Sequence, residues 1–428
     1  MRLARTSSFT GTVRYPLRFS SPTVRGLFIL SSSPFTVQYK RGGGEMQFWL
    51  YVREVPAIFH RPNRGHRNDR PSAPPSVMSI PPKTLVLRLS SIGDIVLSSA
   101  LLRTLRTAAG REARIDYVVR KEYADLVRYN HHLSVVHVYD PASGFDGLKT
   151  LAGELRREGY GLVVDIHDSI RTKLLRAACR AERTVVIDKR KMERWLLVNL
   201  KRNAYDGIVS VAERYIETVA PFGVAYDGKG LEIFIPDAVQ FDVSGRMAKL
   251  RLDRFETVIG LCPGSRHFTK RWQTEKFAEV GLRAAKELKA KVLLFGGPGE
   301  NGDCSVVERT IAAGAGADTV TNFAGSFSLL ESAAALEFCD AVVTNDSGLM
   351  HLAAAKQKKT VAVFGSTVRE FGFAPFGTEA VVVEEEGMEC RPCTHIGRRD
   401  CPKGHFHCMN GITADRVFTA VTSLLAHR

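Results

Sequence analysis

The chain has 428 residues, 44% hydrophobic and 25% charged, with a formal net charge of +15. At roughly 100–200 residues per domain this length accommodates two or three domains of ordinary globular composition. It holds no run of about 18 uncharged apolar residues, so no transmembrane helix is expected.

Residues 1–82 carry 12 Arg/Lys against 3 Asp/Glu. Most of the basicity therefore sits there, and the remaining +6 over 346 residues reads as a solvated surface. A basic chain also suits acidic substrates, anionic lipid or nucleic acid. The segment is rich in Arg, Ser, Pro and Gly, and residues 61–82 are mostly charge, Pro and Ser, so disorder is expected. Its acid-poor Arg/Ser start resembles an organelle transit peptide and lacks the apolar core of a secretory signal. It also fits upstream sequence read from a misassigned start, with Met78 as the first residue. The last reading is preferred because folded sequence begins abruptly after Pro82.

From Lys83 strand and helix patterns alternate. Residues 84–89 read as a strand, and Gly93 and Asp94 open a helix to about Thr107. Residues 115–119, 135–138, 162–165 and 184–187 read as strands with helices between them, which predicts a parallel sheet covered by helices. Residues 227–241, with Gly228, Gly230 and Pro236, read as a linker. A second series follows: strands 257–261, 291–295, 341–344 and 360–364, helices 273–288, 331–338 and 348–355, and a closing amphipathic helix 414–425. The expected fold class is α/β, with two Rossmann-like domains, 83–240 and 241–428, facing across a ligand-binding cleft.

Four loops between these elements can carry chemistry. Ser90, Ser91, Gly93 and Asp94 follow the first strand, at the carboxyl end where doubly wound sheets bind ligands. Asp94 suits a helix cap or a general base. Pro263, Gly264, Ser265 and Arg266, then Lys270, Arg271 and Trp272, offer backbone N–H groups and a cation for phosphate, or a basic surface loop. Gly297, Gly299 and Gly302 formally match a dinucleotide fingerprint, but Pro298 interrupts it and the residues after it read as loop-like. Glu300 there can accept from a ribose hydroxyl. Asp346, Ser347 and Gly348 open a helix whose N-terminus suits a diphosphate, with His351 one turn on.

The eight cysteines all lie at or after Cys179. Cys390, Cys393, Cys401 and Cys408, with nearby histidines, form half of a zinc pattern and an irregular second half. Zinc, disulfides and unpaired thiols stay open. No Asp-x-Asp occurs, so no divalent clamp on a nucleotide diphosphate is expected.

These loops in this order resemble glycosyltransferase family nine, the ADP-heptose:lipopolysaccharide heptosyltransferases. The resemblance runs from about Lys83 to the end. It is carried by Ser90, Ser91, Gly93 and Asp94 and by residues 346–351, with looser matches at residues 270–272 and 364–367. It implies a GT-B fold and metal-independent, inverting transfer from ADP-L-glycero-D-manno-heptose, without a cofactor. Asp94 is then the base. Ser265, Lys270, Glu300, Asp346, Ser347, Gly348 and His351 line the donor site. Ser90, Ser91 and Gly93 lie on the acceptor side. Arg171 and Lys173, by charge and position, can meet an anionic lipid-linked saccharide. A cytoplasmic enzyme with peripheral contact at the inner membrane follows, with no nucleic-acid partner. Three other readings stand beside it. They are a transferase with another nucleotide sugar, a nicotinamide oxidoreductase using the 297–302 glycines, and a non-catalytic protein anchored to lipid or nucleic acid by residues 1–82.

Overall fold

The computed structural model describes residues 78–426 and two short strands before them, β1 (Val37–Arg41) and β2 (Gly44–Phe48). Met1–Pro74 and Pro75–Arg428 are separate compact units. Within the segment expected to be disordered, β1 and β2 pair antiparallel from Val37↔Phe48 to Arg41↔Gly44. The transit-peptide and start-site readings fall outside the described residues.

The larger unit holds two parallel sheets. The first contains β3 (Lys83–Leu87), β4 (Arg114–Arg120), β5 (Val135–Tyr139), β6 (Leu162–Asp165) and β7 (Arg183–Val186), in the order β5-β4-β3-β6-β7. The second contains β8 (Thr257–Cys262), β9 (Ala290–Leu294), β10 (Val320–Asn322), β11 (Ala341–Asn345), β12 (Lys359–Phe364) and β13 (Ala380–Glu384), in the order β10-β9-β8-β11-β12-β13. Both follow the doubly wound Rossmann order, which reverses beside the first strand. The reversals fall between β3 and β6 and between β8 and β11. The loops leaving these four strands hold most of the residues the sequence marks for chemistry.

Both strand faces are buried. Leu85, Leu87 and Val118 pack in one layer with Leu148, Leu151 and Leu155 of the helix Gly144–Glu158. Ile259, Leu261, Val292 and Val343 pack in another, with Phe277 and Val280 of the helix Thr274–Glu287. Between the sheets one apolar cluster is continuous, joining Val86, Ile95 and Leu101 to Leu293, Val342, Ala333 and Leu352.

Four expectations need correction. The predicted helix 93–107 is two helices, Ile92–Leu97 and Ser99–Ala109, because the Ser98 hydroxyl bonds back to the Ile95 carbonyl at 2.7 Å. The residues after the glycine turn are not a loop but the helix Asn301–Ala315, burying Cys304, Val307 and Ile311 at helical spacing. The last part of the predicted linker is helical, Asp237–Ala248 starting after Pro236. Strands β10 and β13 are additional; β10 is only three residues long and its polar Thr321 and Asn322 mask the apolar signal.

Candidate active site

The first cluster forms where β3 ends. Arg88 is buried; its Nη1 donates to the Ile166 carbonyl at 2.6 Å, and its Nη2 pairs with Asp94 Oδ1 at 2.5 Å. Asp94 stands in the first turn of helix Ile92–Leu97. Its Oδ1 also accepts from the Tyr215 hydroxyl at 3.2 Å, and Oδ2 accepts from the Ser91 N–H at 3.1 Å and the Ser91 hydroxyl at 2.8 Å. Asp94 therefore does bind its own helix start, through Oδ2, while Oδ1 faces a cation. Burial pushes its pKa up, but the Arg88 charge and the Ser91 hydrogen bonds outweigh this and hold it below the usual carboxylate range. It is a carboxylate at neutral pH. Burial raises the Tyr215 phenol, so it remains a neutral donor.

The β6 exit completes this side. His167 Nδ1 accepts from the Leu89 N–H at 3.0 Å. Burial and the nearby Arg88 charge lower its pKa to about 3, so the ring is neutral with its proton on Nε2. Arg171 and Lys173 are exposed on the helix Ile170–Cys179 just beyond; Lys173 Nζ lies 3.7 Å from Asp168 Oδ1.

The second cluster forms at the β8 and β11 exits. Lys270 Nζ pairs with Asp346 Oδ2 at 2.7 Å, and the Thr367 hydroxyl donates to the same oxygen at 2.7 Å. Asp346 precedes Ser347, the N-cap of the helix Gly348–Ala355. The ammonium is thus held beside the positive end of a helix dipole. Asn345 fastens this turn to the β8 loop, accepting from the Trp272 N–H at 3.0 Å and donating to the Pro263 carbonyl at 2.6 Å. Ser265 is buried, and its carbonyl accepts from Arg271 Nε at 2.6 Å. Glu300 Oε2 accepts from the Gly297 N–H at 2.8 Å, and a Cβ on Gly264 would stand 2.0 Å from the Glu300 carboxyl carbon. The two glycine turns therefore meet around one carboxylate.

His351 joins the clusters. A Cβ on Gly93 would lie 2.4 Å from His351 Cδ2, and one on Gly348 would lie 2.8 Å from Ile92 Cγ2. The imidazole is buried, its Nδ1 has no hydrogen-bond partner, and burial lowers its pKa to about 4. The Asp94 helix and the Asp346 turn are consequently in contact across the two sheets.

Ser90, Ser91, Gly93, Asp94, Ser265, Lys270, Glu300, Asp346, Ser347, Gly348 and His351 all lie in these clusters or their loops. Arg171 and Lys173 stand at the rim. Sequence reasoning assigned no role to Arg88, His167, Tyr215 or Thr367. Residues 364–367 carried the one usable signal, for Thr367. Cys390, Cys393, Cys401 and Cys408 carry free thiols, and among the described residues no three His, Cys, Asp or Glu side chains are grouped to hold a metal ion. Cys390 and Cys393 instead line a cavity of about 570 Å³ with Lys201, Met388 and His405.

Two Rossmann-like sheets with a buried carboxylate at one switch point and, at the other, a helix N-terminus with a lysine held beside it have the build of a GT-B glycosyltransferase. The chain belongs to Glycosyltransferase family 9 (heptosyltransferase), whose model matches residues 148–403. Lipooligosaccharide heptosyltransferase 2 of Campylobacter jejuni is 30% identical over 39% of this chain, which spans 51% of that relative's length. Lipopolysaccharide heptosyltransferase 2 of Salmonella typhimurium is 27% identical over 80% of this chain and 99% of its own. Among solved structures, a family 9 glycosyltransferase from Veillonella parvula covers 82% of this chain and all of its own at TM-score 0.68 and 23% identity. ADP-heptose LPS heptosyltransferase II of Escherichia coli covers 80% and 98% at TM-score 0.62 and 23% identity. Both share the fold.

Proposed function

We propose that this enzyme transfers heptose from ADP-heptose to a hydroxyl of the lipopolysaccharide inner core, inverting the anomeric centre, with Asp94 as base and no metal. The observation that carries it is the contact between the Asp94 helix and the Lys270–Asp346 turn, which sets a base against an anion site across one cleft. The names of the relatives supply the sugar and the acceptor class.

All four lone pairs of the Asp94 carboxylate are engaged, and only the Ser91 hydroxyl is an exposed, rotatable partner. The acceptor hydroxyl takes that position, and Asp94 removes its proton as the oxygen attacks the anomeric carbon. Charge then builds on the departing diphosphate. Lys270 and the N-terminus of helix Gly348–Ala355, at Ser347 and Gly348, meet it. Neutral His351 and buried Ser265 border the same space, and Glu300 accepts from the ribose. Arg171 and Lys173 contact acceptor anions at the rim. The enzyme works in the cytoplasm, peripheral to the inner membrane.

The test is transfer from ADP-heptose, against UDP- and GDP-sugars, to a truncated Kdo–lipid A acceptor by the wild type and Asp94→Ala. Transfer by the wild type from ADP-heptose alone, lost in Asp94→Ala, is expected. Preference for another nucleotide sugar would overturn the donor, and an active Asp94→Ala would overturn the base.

A further inference from the structure

We infer that the exposed face formed by the helices Ile170–Cys179 and Lys191–Leu200 docks the enzyme on an anionic lipid surface. Residues 170–202 hold eleven Lys/Arg against three Asp/Glu, a net of +8. That exceeds the +6 carried by the entire chain after residue 82. The body's basicity is therefore local, not spread.

Within this segment large apolar side chains point outward. Ile170 is 80% and Leu174 45% exposed, four residues apart on one helix. Met192 is 67% and Trp195 55% exposed, three apart on the other. Neither pair belongs to the core, because these helices bury different residues: Thr172, Leu175 and Cys179 on the first, Leu197 on the second. Asp168 brings the two helix starts together, with Lys173 Nζ 3.7 Å from Oδ1 and Lys191 Nζ 2.8 Å from Oδ2. Arg171 and Lys173 alternate in sequence with Ile170 and Leu174 on the first helix, and Lys191 and Arg194 adjoin Met192 and Trp195 on the second.

Aliphatic and indole side chains encircled by Lys and Arg are the composition of an interfacial helix. The apolar groups enter the headgroup boundary, and the cations meet lipid phosphates. Nucleic acid would satisfy the charge but would leave Ile170, Leu174 and Met192 in water, so lipid fits better. The location also fits. Asp168 adjoins His167, whose ring bonds Leu89 beside Arg88, so the face borders the Asp94 side of the cleft. The inference rests on the lipid-linked acceptor reading for its purpose, since docking there presents a membrane-held acceptor to Asp94. It does not need that reading for its test.

The full-length protein is floated with acceptor-free vesicles of phosphatidylcholine, with or without phosphatidylglycerol. Binding only to the anionic vesicles is expected, with release in about 1 M salt, where the screening length falls to about 3 Å. Tryptophan emission shifts blue on binding, and Trp195→Phe removes that shift. The double variant Met192→Ser/Trp195→Ser partitions at least about tenfold more weakly, while transfer to a deacylated, water-soluble acceptor is unchanged. No binding to anionic vesicles, or equal binding by the double variant, would overturn the inference; the second outcome would place docking elsewhere in the chain. RNA binding that outcompetes anionic vesicles would assign the face to nucleic acid and overturn it too. Intact docking by a chain that transfers no sugar would sink the proposed function and leave this inference standing.

Discussion

Asp94 owes its low pKa to a partner that can be removed. Burial alone would raise this carboxyl, and the Arg88 charge is the largest influence against it. The acidic limb of kcat/KM against pH reports the free enzyme's base, so in the wild type it lies to the acid side of the ordinary carboxylate range. Arg88→Met leaves burial dominant and should move that limb up by about one unit or more. Arg88→Lys keeps a cation and should move it less. A limb that stays in place in Arg88→Met would remove Asp94 from the base role. The same depression adds stability above the unfolded pKa of about 3.9, lost as pH falls through the folded value. Asp94→Asn keeps the shape and removes the base, so kcat should fall by about 10²–10⁴. Asp94 was legible because a strand, a Ser/Gly turn and a helix start lie within a few residues. Tyr215, which shares its Oδ1, was not, because it arrives from a helix 121 residues further on.

Between elements, the contact that matters is glycine against histidine. The helices Ile92–Leu97 and Gly348–Ala355 approach closely because Gly93 and Gly348 have no side chain where His351 and Ile92 lie. The sequence reading placed Gly93 and Gly348 at helix starts in ligand loops; their further use is interhelical, and spacing along one chain cannot reveal a partner 258 positions away. Gly93→Ala places a methyl 2.4 Å from the His351 ring. Overpacking of this kind costs about 1–3 kcal/mol, and the pushed ring should also lower activity. If the clash is with the ring itself, His351→Ala in the same chain should recover most of the stability lost by Gly93→Ala. Denaturant unfolding of the four proteins measures this directly. Additive losses would mean the strain lies elsewhere. The helix Asn301–Ala315 was illegible for a related reason. Its apolar side is short, and Gly302 and Gly314 are poor helix formers that tertiary packing overrides.

At the scale of the molecule, βα alternation pointed to two sheets, but not to how one is fastened to the other. That depends on isolated polar side chains. Arg214, buried on the helix Val211–Glu217 beside the first sheet, donates through Nη2 to the carbonyls of Val209 at 2.9 Å, Glu370 at 3.3 Å and Phe371 at 3.0 Å. The Val211 N–H adds a bond to the Gly372 carbonyl at 2.9 Å, and Gly372 takes φ 83°, a conformation glycine adopts without strain. The turn after β12 is thus tied to the domain that carries Asp94, although it follows directly from Thr367, which steadies Asp346 and Lys270. Arg214→Ala strips a charged donor from one buried and two partly buried carbonyls, at a cost of about 1–3 kcal/mol. The proposed nucleotide site lies in the second sheet's loops, so ADP affinity by calorimetric titration should stay within about threefold of wild type, while kcat/KM falls more than about tenfold as the proposed base loses its fixed distance from the donor. Equal losses in ADP affinity and kcat/KM would mean that Arg214 shapes the donor loop alone. Only unequal losses would make it the side chain that sets base against donor.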